Sequence, residues 1–358
     1  MAWRGGIDLT KLRRRSLKKR HRGGVMMTRS VWRAVGDSCL VSLMVVMLWG
    51  LPAWPQSSAG VPPEIAAQLR AIGPTLDPPA VAKIYGPLQA QAPRDGVKRT
   101  NDISYGPNER HRLDVYEPAE RRNQPMPVLI FIHGGAFVAG DKSSPNSPFY
   151  DNIGYYFSCH GVVTINATYR LAPKNPWPAG VQDVAAVVKW ARENVARYGG
   201  DNSRIFLMGH SAGAAHVAAY AFMKELQPKE GTGLAGVIVV SGAYDPALEE
   251  LARKAFTGGA PNKPNQAYYG TDTSLYRVRS ILMNLSGPPV RTMVVYAELD
   301  MLGMQVEGGS LFTALCRRDG QCPELLWLRD HDHLSEVFAI NTSDESLAKP
   351  VLEFMRGQ

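Results

Sequence analysis

The segment Arg204-Ile-Phe-Leu-Met-Gly-His-Ser-Ala-Gly-Ala-Ala-His-Val-Ala-Ala-Tyr220 restricts this chain more than any other. An apolar run without helical period, Ile205 to Met208, enters Gly209-His210-Ser211-Ala212-Gly213, and an alanine-rich helical run leaves it. Strand, tight turn and helix with a serine at the apex fit the G-x-S-x-G elbow. Such a turn holds its serine in a strained backbone conformation that lifts the hydroxyl clear of the sheet. The positions two before and two after must then be nearly free of side chain, because strand and helix pass very close there. The helix N-terminus beneath Ser211 supplies backbone N–H groups and a positive dipole end. An ordinary Gly/Ser turn would satisfy the pentapeptide but not the pattern on both sides of it.

Around this segment the rhythm is strand, helix, strand. Residues 108–118 alternate like a strand and end at a proline, while 127–133, 161–170 and 234–240 are continuous apolar runs, the mark of strands buried on both faces. Residues 290–296 and 324–328 supply the last strands; 181–198 and 345–356 have helical spacing. The expected fold is α/β, a mostly parallel, doubly wound sheet with helices on both faces and ligands at the carboxyl ends of its strands. Residues 60–100, rich in Pro and Ala with a helical patch at 64–72, read as an N-terminal arm or part of a lid. The main domain then runs over 101–358, and residues 247–289 break the alternation as a small cap insertion.

The formal charge of +8 suggests a polyanionic partner until its location is considered. Eleven of the 40 Lys and Arg lie before Ala34, and the first 59 residues hold only two acids, Asp8 and Asp37. The remaining chain carries 29 basic and 30 acidic residues, so nothing in it calls for nucleic acid. Within 1–59, a basic stretch precedes the short apolar run 39–51, then Pro52, Pro55 and small residues. That order describes a secretory signal peptide, which makes a secreted or periplasmic location the expectation. The run is short of the roughly 20 residues of a membrane span, and an uncleaved anchor is the rival reading. Cys316 and Cys322 bracket a turn-like segment that could close a small disulfide loop in an oxidising compartment; two free thiols are the alternative.

Residues able to serve Ser211 stand at the ends of the other strands. His133-Gly-Gly-Ala-Phe137 is a loop of small residues whose amides can point at one spot, as the oxyanion of a tetrahedral intermediate requires. Gly135 and Ala136, with Ala212, are the candidate donors. A serine nucleophile needs a base, and the base an orienting acid. Asp300 is the preferred acid, with Glu298 and Glu307 as alternatives. His331 and His333, read as lying in a loop after the last strand, are the only histidines beyond the elbow helix. His333 is preferred as base and His331 is taken as a solvated neighbour. A metal site at this H-x-H pair is a minor reading, since no further Cys or His stands nearby.

His133-Gly-Gly-Ala-Phe137, Tyr169-Arg-Leu-Ala-Pro173, Trp177-Pro-Ala179 with Asp183, and Gly209-His-Ser-Ala-Gly213 occur in that order. Together with 113–118 and 268–272 they resemble the hormone-sensitive-lipase-like and feruloyl-esterase-like carboxylesterases of the α/β-hydrolase fold, over roughly residues 100–357. The resemblance implies Ser211, Asp300 and His333 as a catalytic triad, His333 through its His-Leu-Ser ending. It implies ester hydrolysis through an acyl-enzyme, a small-molecule ester as substrate, and neither cofactor nor metal. Ala136 departs from the lipase-like branch, which often has a third glycine; an amide donor survives that change. Amide or formamide hydrolysis, as in arylformamidases, is the second reading, and a catalytically silent hydrolase-fold binding protein the third. For the leader, N-terminal sequencing of protein from the native host should find a start between Ala53 and Val61; an intact leader on membrane-bound protein would identify an anchor instead.

Overall fold

The computed structural model describes residues 60–357 apart from 121–122 and 257–260, and these belong to one compact unit, Pro55–Gln358. The leader and its apolar run lie outside the described residues, among which no helix is long and apolar enough to cross a membrane. Eight strands form one sheet: β1 Val97–Ser104, β2 Arg112–Pro118, β3 Met126–Ile132, β4 Val163–Ala167, β5 Gly200–His210, β6 Gly236–Val240, β7 Thr292–Leu299 and β8 Glu324–Asp332. Their order is β1-β2-β4-β3-β5-β6-β7-β8, with β2 antiparallel to both neighbours and every later pairing parallel.

Alternation along the strands splits the core into two layers. Val128, Ile130, Ile132, Ile205 and Leu207 face one side, with α4 (Ala179–Asn194), α5 (Ala212–Phe222) and α9 (Leu302–Asp319). Leu129, Phe131, Phe206 and Met208 face the other, with α3 (Asp151–Cys159) and α11 (Ala348–Arg356). Both faces being covered explains why these strands read as unbroken apolar runs. Each such side chain, fully removed from water, contributes about 1.5–3 kcal/mol. The α5 helix is buried at every position, and its alanines let it lie against β5 and β6.

Three features depart from the sequence reading. The arm is not separate from the sheet: it contains α1 Pro63–Ile72 and α2 Pro78–Gln89, and its end becomes edge strand β1. Those pieces are short of apolar alternation because β1 is half exposed and α2 opens on two prolines. Second, β8 runs on to Asp332, so His331 lies in the strand rather than in a loop. A bulge makes this possible, β8 advancing four positions from Leu328 while β7 advances two from Ala297. Third, the insertion between β6 and β7 is helical, with α6 Pro246–Phe256, α7 Lys263–Tyr269 and α8 Tyr276–Arg279. Where the spacing of the cysteines left two readings, the structure closes the Cys316–Cys322 disulfide across the α9–β8 turn.

The arm grips the segment after β8. Gln89 Nε2 on α2 donates to the carbonyls of Phe338 (2.8 Å) and Ile340 (2.7 Å), at and beyond the short helix α10 Ser335–Phe338. Asn341 Nδ2 donates to Pro93 O at 3.0 Å, and Arg70 on α1 pairs with Asp330. Gln89 is 1% exposed, so Gln89→Leu would keep the volume and leave the Phe338 carbonyl without its donor, while Ile340 O keeps Asn152 Nδ2. Urea unfolding should show a loss of about 2–3 kcal/mol; an unchanged midpoint would mean the arm is not bonded there.

Candidate active site

Ser211 sits between β5 and α5 with φ 56° and ψ −123°, a conformation that side chains other than glycine rarely adopt. Its amide is held by Val240 O at 2.9 Å, and its carbonyl already accepts from Ala215 N. A Cβ on Gly209 would stand 2.5 Å from Gly213 O, and one on Gly213 would run into the carbonyl oxygens of Ile132 and His133. Both positions therefore need glycine for close approach, as the elbow pattern requires.

The strand ends bring three sequence-predicted residues into a hydrogen-bonded line. His333, one residue past β8, places Nε2 2.9 Å from Ser211 Oγ and Nδ1 2.9 Å from Asp300 Oδ1. The carboxylate can only accept, so the ring hydrogen belongs on Nδ1 and Nε2 is left to take the serine proton. Asp300, fully buried just after β7, also accepts from Met301 N at 2.9 Å, which fixes its carboxylate in place. Ser211 and His333 are 9% and 3% exposed, which shields the line from bulk water.

The other candidates for acid and base lie elsewhere. Glu298 accepts from Asp330 N at 2.9 Å, and Glu307 accepts from Tyr244 N and Asp245 N. Burial, with Glu249 adding to it, raises the Glu307 carboxyl well above its usual range. His331 is not a solvated neighbour: it is fully buried, with Nδ1 3.1 Å from Ser335 Oγ and Nε2 3.3 Å from Asp344. That last pair sits at ion-pair distance without hydrogen-bond alignment. β8 extends past His331, so its side chain is fixed one strand position before the turn that frees His333.

The loop after β3 runs beside Ser211. A Cβ on Gly134 would lie 3.1 Å from Ser211 Cβ. Gly135 has φ 125°, and Ala136 and Phe137 follow at 51° and 68°, so the chain curls back on itself. The amides of Gly135, Ala136 and Ala212 have no hydrogen-bond acceptor among the described residues. Phe137 anchors the loop by stacking on Tyr268 of α7 at 4.5 Å and 7°, with His216 and Tyr269 edge-on. Burial drives His133 and His216 down to about 3, so both rings are neutral props here. Asp183 binds the Arg170 amide at 2.7 Å and Arg170 Nε at 2.9 Å, which secures the loop after β4.

Sequence reasoning missed a second buried cluster behind His333. His210, Glu336 and Ser241 converge there, and nothing in their spacing marks them as neighbours. Ligand atoms of His210, His333 and Glu336 lie within 4.8 Å of one another, but both His333 nitrogens are engaged by Asp300 and Ser211. A metal there would have to break the line to the serine.

Fold and site define an α/β-hydrolase with a serine, histidine and aspartate aligned at the carboxyl edge of the sheet. Esterase B from Lactobacillus Rhamnosis superposes with a TM-score of 0.62 at 20% identity, over 82% of this chain and 94% of that one. Residues 174–358, more than half the chain, match the model of the prolyl oligopeptidase family, and the chain belongs to that family. Residues 113–234 also match the BD-FAE family. Esterase LipC of Mycobacterium tuberculosis is 32% identical over 151 residues, 40% of this chain and 36% of that protein. Esterase LipQ of the same organism is 36% identical over 177 residues, 48% of this chain and 35% of that protein. The chain thus spans little more than a third of the length of these curated relatives.

The geometry separates the two histidines experimentally. His333→Ala should remove most turnover together with the acid limb of the pH–rate profile, and His331→Ala should retain substantial activity if it folds. Asp300→Asn should lose about 10⁴-fold in kcat through the wrong tautomer. A working His333 variant would show that the line of hydrogen bonds is not the proton path.

Proposed function

We propose that this chain is a serine carboxylesterase. One observation carries the reading: the Asp300–His333–Ser211 line ends where the loop after β3 passes close by, and the amides of Gly135, Ala136 and Ala212 have no partner among the described residues. His333 Nε2 takes the Ser211 proton as Oγ attacks the ester carbonyl carbon. The oxyanion of the tetrahedral intermediate is met by Gly135, Ala136 and Ala212 amides, charge-assisted by the α5 N-terminus. Collapse breaks the carbon–oxygen bond, and His333 returns the proton to the departing alcohol. Water, activated by the same ring, then releases the acid. Every proton moves between Ser211, His333 and substrate, so the sequence of steps requires no cofactor.

The esterase names of the Mycobacterium tuberculosis relatives support ester over amide substrates. The cap holds the proposed oxyanion loop through Tyr268, stacked on Phe137. We also propose that the protein is exported, supported by the charge segregation of 1–59 and by the Cys316–Cys322 disulfide.

A series of p-nitrophenyl esters of rising chain length, run beside N-formylkynurenine, tests the assignment. Short-chain esters should be hydrolysed, and Ser211→Ala should lower kcat on the order of a millionfold with the fold intact. Turnover confined to N-formylkynurenine would make the chain a formamidase, and residual ester activity in Ser211→Ala would remove Ser211 as nucleophile.

A further inference from the structure

Three buried polar side chains meet behind the line of hydrogen bonds to Ser211. His210 Nε2 lies 2.7 Å from the main-chain oxygen of His333 and 3.2 Å from Glu336 Oε1. Glu336 Oε2 accepts from Ser241 Oγ at 2.9 Å. His210, Glu336 and Ser241 are at most 1% exposed, and the His210 and His333 ring centroids are 4.8 Å apart. None of the three takes part in the ester chemistry described above. We propose that His210 and Glu336 are positioning residues for His333, seating its main chain against the elbow while Ser211 engages its ring.

The case begins with connectivity. Ser211 follows β5 and His333 follows β8, with β6 and β7 between them in the sheet. No hydrogen-bond ladder joins β5 to β8, so the gap between nucleophile and base needs another fastening. His210 and Ser211 are consecutive, and both touch His333, one at its carbonyl and the other at its ring. Glu336 on α10 accepts from Ser241, which follows β6 and is held through its amide to Val295 O of β7, and packs its Oε1 3.2 Å from His210 Nε2 without hydrogen-bond alignment. The His210–His333 bond thus joins the ends of β5 and β8, and Glu336, bonded to Ser241 after β6, packs against it. A misplacement of about 1 Å at such a site can cost on the order of 100-fold in rate.

The protonation pattern follows from the acceptors. The carbonyl of His333 can only accept, so the His210 ring hydrogen is on Nε2. His210 Nδ1 has no partner among the described residues, as suits a neutral ring; a cation would bury an unmet N–H. Burial holds the ring far below its usual range, and His333 and His133 push the same way. Burial also raises the Glu336 carboxyl well above its usual range, reinforced by Asp300 and Asp332, against the hydrogen bond from Ser241. Tyr150 and Tyr244 face the same carboxyl and are themselves raised, so they bring no charge. Glu336 is thus held toward its protonated form, with Oε2 accepting from Ser241.

This inference rests on Ser211 and His333 being nucleophile and base, so the test has two readouts. On the full-length protein, kcat and KM for p-nitrophenyl acetate are measured alongside the proton NMR signal of the His333 Nδ1–H as pH is varied. His210→Ala should keep KM within about 2-fold and lose about 100-fold in kcat, with the His333 signal broadened or lost. His210→Gln, whose amide nitrogen reaches the same carbonyl, should recover most of that rate. Ser241→Ala, which removes only the far hydrogen bond, serves where His210→Ala does not fold and should show a smaller loss of kcat at constant KM. In Glu336→Gln, which keeps the size and the acceptor facing Ser241, kcat should stay near that of the wild type. Two results overturn the proposal: full kcat in His210→Ala, or no rescue by His210→Gln. A wild type inert to the ester, with the His333 signal present, would instead sink the esterase reading, while the NMR comparison would still judge the seating of His333.

Discussion

The site depends on one strained residue. Ser211 at φ 56° is unfavourable in isolation and persists because three elements over-determine it. Val240 O holds its amide from β6, α5 starts directly after it, and β3 presses close enough that Gly213 has no room for a Cβ. Strain at the apex is thus sustained by the packing of a central parallel sheet, and the same packing aims the hydroxyl at the carboxyl edge. Loops after β3, β7 and β8 then need only reach inward to meet it.

Charge is kept scarce around that point. Asp300 faces His333, while His133, His210 and His216 are held neutral by burial and Glu307 and Glu336 are driven toward their protonated forms. In a low-dielectric site each added charge would act strongly on His333. Hydrogen-bonding groups that carry no charge can fix geometry without that penalty. The aromatic stack of Phe137 on Tyr268 does the same for the loop after β3, joining it to the insertion between β6 and β7.

The arm changes how the unit is bounded. Matches to the family models begin at Leu113, yet α1, α2 and β1 lie before it. Through Gln89, Arg70 and the Pro93 carbonyl, this segment holds the stretch from Asp330 to Asn341 that carries His333. His333 is therefore clamped from the N-terminal side of the chain as well as from the elbow.

Local sequence determined what local physics controls. The apolar runs of β3, β5 and β6 announce strands covered on both faces, and Gly209 and Gly213 announce a turn where backbones nearly touch. Chain order after the elbow narrows the partners of Ser211 to few residues. Other features were settled only by tertiary structure. β1 carries too little apolar alternation to show as a strand until β2 pairs with it. His331 and His333 are alike in sequence, and only the bulge and end of β8 send one into the core and the other to Ser211. His210, Ser241 and Glu336 are up to 126 residues apart and bear no motif in common. Long-range strand order brings them together, and no pattern along the chain records that distance.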